Sequence, residues 1–82
     1  MLLPAEKELR AALARFAHAR IEHDRRPTGD TNRVLEDATY TLCVMTGART
    51  AADALTAADA LLDRYRTDRR GSVTQEDETL AA

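Results

Sequence analysis

Two histidines, one cysteine, a scatter of carboxylates and a large share of arginine are the side chains in this 82-residue sequence that could do chemistry. His18 and His23 lie five positions apart, which on a helix separates them by about 140°. A zinc pair needs histidines three or four apart on one face, and a catalytic site needs a third protein ligand. No spacing motif recruits Cys43 as that ligand, so the sequence predicts surface histidines and no metal site. Cys43 sits between Leu42 and Val44, late in a helical stretch. Apolar neighbours and the negative end of a helix dipole both disfavour a thiolate, so Cys43 reads as a small buried hydrophobe. Asp59 and Asp63 share a helix face, but Arg64 and Arg66 beside them describe an ordinary solvated surface. There is no Gly-rich phosphate loop, no H-E-x-x-H and no Ser-His-Asp order. The reading is a non-enzymatic chain with no catalytic residue and no cofactor.

Arginine is the remaining chemical signal, outnumbering lysine eleven to one. Arg20, Arg25 and Arg26 close the first helical segment, and Arg64, Arg66, Arg69 and Arg70 close the third. If the first and third helices run parallel, these groups form one basic cap able to meet an anionic partner. Against that stands the charge balance. All 12 basic residues fall within positions 1–70 beside 11 of the 14 acids, leaving Glu76, Asp77 and Glu78 in a stretch with no base. The net charge of −2 makes a poor general trap for nucleic acid or an anionic membrane. The acidic end is itself a candidate to fold back and neutralise the arginines.

Helices must position these groups. The composition is rich in Ala and Arg, has only 4 % aromatic residues, and lacks tryptophan. Pro4 with Glu6 and Glu8 suits a helix start, and Leu9, Leu13, Phe16, Ala17 and Ile21 make an apolar stripe. The breaker run Arg26-Pro27-Thr28-Gly29-Asp30 ends that helix. Asp30 or Thr31 caps a second, with Val34, Leu35, Ala38, Leu42 and Met45 as its stripe. Its end, Tyr40 to Met45, is apolar nearly all round and therefore wants partners on several sides. Gly47 stops it. Thr50 with Asp53 opens a third helix, whose Ala51, Leu55, Ala58, Leu62 and Tyr65 form a short heptad-like seam.

The predicted architecture is all-α: a small antiparallel three-helix bundle over residues 1–71, with helices at about 4–25, 31–46 and 51–70. Residues 72–82 are predicted to be a disordered acidic tail. Surface scaling gives a compact chain of this mass about 4,900 Å² of exposed area and a modest core. No 18-residue apolar run and no secretory signal core is present, so the expected location is the cytoplasm, away from membranes.

The run from Asp37 to Thr50, centred on Tyr40-Thr41-Leu42-Cys43-Val44-Met45-Thr46-Gly47-Ala48-Arg49, resembles the core of a family of short actinobacterial helical proteins of unknown function. Its members share a Y-T-L-C-V-x-T-G-x-R signature and a start close to Met-Leu-x-Pro, and the similarity covers most of residues 1–62. A second resemblance spans about twenty residues. Glu36, Ala38, Leu42, Gly47, Ala54 and Leu55 are similar to the pattern of ANTAR, a three-helix antiterminator RNA-binding module, although Thr39 stands where that pattern has a lysine. The first resemblance implies no mechanism; the second implies RNA binding through the arginines.

The sequence therefore points first to a regulatory or accessory protein–protein interaction module. Its partner is an unknown protein or a second copy, met through Tyr40, Val44 and Met45. The alternative is an ANTAR-like RNA-binding regulator using Arg20, Arg25, Arg26, Arg64, Arg66, Arg69 and Arg70.

Overall fold

The computed structural model describes the backbone of residues 3–81 and the side chains of residues 3–70. It is built from α1 (Glu6–Arg25), α2 (Gly29–Thr46) and α3 (Ala51–Ala81). The fold is all-α, a small helical bundle.

The link between α1 and α2 follows from local chemistry. Arg26 precedes Pro27 and leaves the helical region, at φ −145°, ψ 85°, and Thr28 is extended. Thr28 Oγ1 accepts a hydrogen bond from the Thr31 backbone N–H at 3.0 Å, and Thr31 Oγ1 accepts one from the Thr28 N–H at 2.8 Å. This reciprocal capping box satisfies two of the donors a helix start leaves unpaired. It also corrects the predicted start: Thr28 is the cap, Thr31 is its return partner, and the helix begins at Gly29. His23 Nδ1 lies 2.8 Å from Thr31 Oγ1, fastening the last turn of α1 to the same box.

Gly47 closes α2 in the left-handed region at φ 75°, ψ 13°. There the amides of Gly47 and Ala48 both reach the Cys43 carbonyl, at 2.8 and 3.1 Å. This Schellman-type closure turns the chain sharply toward α3. Thr50 then caps α3 as its sequence predicts, accepting from the Asp53 N–H at 3.1 Å.

The core is small and mostly alanine. Leu9, Ala12, Phe16 and Ala19 enter it from α1, Ala38 and Leu42 from α2, and Ala54 and Ala58 from α3. No polar side chain is buried among the described residues. The inward face of α1 is rotated from the predicted stripe: Ala12 and Ala19 are inside, whereas Ala17 is exposed and Ile21 is 56 % exposed. Ile21 projects from the side of the helix away from Leu9, Ala12, Phe16 and Ala19. Val34 is also largely exposed, at 53 %, over shallow grooves where α1 offers His18, Ala19 and Glu22 on one side and Arg15 on the other.

α1 and α2 form an antiparallel hairpin, but α3 does not run back parallel to α1. A parallel α3 leaving the same end of the hairpin would carry Tyr65 about 20 Å along α1. Instead the Tyr65 hydroxyl donates to the Pro4 carbonyl, and Arg69 binds the Glu6 carboxylate. The second half of the described part of α3 therefore meets the start of α1. The backbone continues as helix through Gly71 to Ala81, past the predicted stop. The predicted tail thus falls on a stretch that is helical to Ala81 and whose side chains lie outside the described residues. With its long third helix the molecule extends over 61 × 28 × 16 Å. It exposes 6391 Å², well above the area of a compact chain of its mass.

Candidate interaction face

α2 has two faces with different fates. Ala38 and Leu42 point into the core. Two residues further along a helix is a rotation of about 200°, so Tyr40 and Val44 must point the opposite way. They do: Tyr40 is 72 % exposed and Val44 is 61 % exposed. Neither α1 nor α3 covers them. Met45, the third residue predicted to meet a partner, is half-buried and packs against the core instead.

Tyr40 and Val44 belong to an open groove of about 720 Å³ that runs along α2 into the α2–α3 link. Asn32, Leu35, Glu36, Thr39, Tyr40, Cys43, Val44 and Gly47 follow one another at helical spacing along it, and Ala48 and Arg49 close its far end. Leu35 and Cys43 are half-buried, each shared between this groove and the edge of the core. Thr39 spends its hydroxyl proton on the Leu35 carbonyl at 2.8 Å, so its polar demand is met within its own helix. The middle of the groove is thereby apolar: Leu35, Tyr40, Cys43 and Val44. Its two ends carry opposite charge. Glu36, steadied by a hydrogen bond from Asn32 Nδ2 at 3.2 Å, lies toward one end, and Arg49 lies at the other.

The chemistry-bearing residues of the sequence are dispersed. His18 is exposed, and His23 serves the Thr28–Thr31 cap. Cys43 is a free, half-buried thiol on the groove floor rather than a fully buried one. No group of three His, Cys, Asp or Glu side chains among the described residues is placed to hold a metal ion.

The arginines do not form one cap. Arg20, Arg25 and Arg26 stand at the end of α1, with Arg25 paired to Glu22 at 3.5 Å. Arg69 is drawn to Glu6 at the opposite end of α1, about 30 Å away for a 20-residue helix. Arg66 lies 3.8 Å from Asp63, while Arg64 and Arg70 are exposed. The shared cap required a parallel α3, and the crossing of α3 removes it. The contact that replaces it, which sequence periodicity does not reveal, is a clasp of Glu6, Arg10 and Arg69. Hydrogen bonds from Arg69 first and Arg10 second hold the Glu6 carboxyl below its ordinary value, and Glu6 in turn raises Arg69.

Comparison with known proteins adds one match. A family model described as a protein of unknown function (DUF5133) matches residues 1–65, a span that takes in α1, α2, the groove and α3 as far as Tyr65. No curated protein and no solved structure matches the chain.

Proposed function

The chain belongs to the DUF5133 family, whose function is unknown, and from its own surface we propose that it is a small non-enzymatic interaction module with a regulatory or accessory role in the cytoplasm. The observation that carries this reading is the outward face of α2. Two large apolar side chains, Tyr40 and Val44, stand exposed on a rigid helix beside an apolar groove. Isolated exposed hydrophobes are common, but an aromatic and a branched aliphatic residue one turn apart over a concave strip form a patch of the kind partners use. Tyrosine is well suited to such a surface, because it offers a large contact area at little cost in conformational freedom.

RNA binding is the competing reading, and the separation of the two arginine groups leaves it without the concentrated basic surface it called for. One experiment decides between the two. The tagged chain is used to capture partners from native lysate, with and without nuclease, alongside Val44→Asp and an Arg64→Ala/Arg66→Ala variant. The interaction reading expects nuclease-resistant capture of one defined protein, abolished by Val44→Asp and unaffected by loss of the arginines. Capture that disappears with nuclease and with the arginines overturns it.

A further inference from the structure

We propose that the occupant of the α2 groove is a second copy of this chain, docked antiparallel about a twofold axis that passes beside Cys43. The inference rests on reading this face as an interaction surface, and it is carried by the arrangement of charge along it. Glu36 and Arg49 sit toward opposite ends of one apolar strip. Within the described residues neither takes part in an ion pair of its own chain; the pairs formed are Glu6–Arg10, Glu22–Arg25, Asp63–Arg66 and Glu6–Arg69.

A strip that is negative at one end, apolar in the middle and positive at the other is complementary to itself when turned end for end. A twofold pairing requires that property, because residue i must meet residue j while j meets i. The register follows from the spacing. An axis midway along the groove sets Glu36 of one copy, on α2, toward Arg49 of the other, in the link beyond Gly47, twice. The same axis sets Tyr40 against Val44 within about a residue and leaves both Cys43 thiols beside the axis. With the axis beside Cys43, residues 39–46 of the two α2 helices face each other over about 12 Å, roughly two turns, and the Glu36–Arg49 pairs flank that overlap.

The test is the mass of the full chain in solution, by light scattering or sedimentation over a wide concentration range. The expected result is a dimer of twice the 9.1 kDa chain mass. Val44→Asp weakens it by about 30-fold or more with helicity unchanged. Glu36→Arg alone and Arg49→Glu alone each weaken it by about tenfold. The double variant recovers association, because the reversed charges again face each other, and so does an equimolar mixture of the two single variants. A short bismaleimide joins Cys43 to Cys43 in the wild type and not in Val44→Asp. A folded wild-type monomer at every concentration overturns the proposal, as does a dimer indifferent to Val44→Asp and to both reversals. The broader reading fails separately. A monomer that still captures another protein through Val44 removes the second copy but keeps the face, whereas a monomer with no Val44-dependent binding removes both.

Discussion

At the scale of single residues, α2 sets neighbouring side chains to opposite tasks, and the contrast can be measured. Leu42 is fully buried in a core whose other members are mostly alanines. An alanine methyl cannot rotate or reach to refill a hole, so Leu42→Ala leaves a cavity and costs about 3–4 kcal/mol. Tyr40, two positions earlier, is mostly exposed, and Tyr40→Ala changes stability by less than about 0.5 kcal/mol while weakening association. Denaturant midpoints of the two variants, compared side by side, check this, and a large loss on Tyr40→Ala would place Tyr40 in the core instead. Glu6 supplies a pH signature at the same scale. Its folded carboxyl titrates below its ordinary value of 4.5 because Arg69 and Arg10 favour the charged form. A depressed carboxylate stabilises the fold above its unfolded value, and that contribution fades as pH falls through the lowered folded value. Arg69→Ala removes the larger of the two causes. The melting temperature of this variant should therefore fall less than that of the wild type between pH 6 and pH 3, and equal acid sensitivity would show that the Glu6–Arg69 contact does not persist in solution.

At the scale of elements, the helices were legible and their rotations only partly so. Proline and glycine mark the breaks through backbone restrictions that do not depend on tertiary context, so the linker at 47–50 falls where the sequence puts it, and the one at 26–28 is two residues shorter than the sequence suggests because Thr28 takes the cap. Thr50 as a cap was equally plain. The inward faces were harder to read, because alanine carries almost no hydrophobic signal. Ala12, Ala19 and Ala54 are buried, while the conspicuous Ile21 and Val34 are not. Close packing selects alanine because it lets backbones approach, and a pattern search weighted toward large apolar residues turns the helix the wrong way. The helix ends support a paired prediction. Gly29 occupies the first turn of α2, its φ is not positive, and nothing lies within 4 Å of where a Cβ would be. Gly29→Ala should therefore stabilise the protein by about 0.4–1 kcal/mol, chiefly by restricting the unfolded chain. Gly47 holds a left-handed conformation, and Gly47→Ala should cost about 1 kcal/mol or more. Urea titrations of the two variants are expected to shift in opposite directions.

At the scale of the whole molecule, the decisive feature is the course of α3, and periodicity along one helix carries no information about its angle to another. The heptad-like seam suggested a third helix lying along the first. The structure instead seats Ala54 and Ala58 in the core and sends the helix past the start of α1, where Tyr65 and Arg69 make their contacts. That geometry disperses the arginines, leaves the outer face of α2 uncovered, and divides the molecule into parts of unequal hold. α1 and α2 are joined along their length by the core and at one end by the Thr28–Thr31–His23 cluster. Beyond Ala58, the described part of α3 adds no fully buried residue; Leu61, Leu62 and Tyr65 lie against the core edge, and two polar ties reach the start of α1, from the Tyr65 hydroxyl to Pro4 and from Arg69 to Glu6. Opening of that segment therefore exposes little apolar surface, and its free energy should lie well below that of global unfolding. Tyr65→Phe keeps the ring and removes the hydrogen bond, at a net cost of about 1 kcal/mol. If the tie holds α3 in place, amide exchange in Tyr65→Phe accelerates about fivefold across residues 62–70 while the amides of Ala38–Leu42 keep their protection. Uniform acceleration through all three helices would show a single cooperative unit, and no change at all would show that the ring and the Arg69–Glu6 contact fix the course of α3 without the hydroxyl.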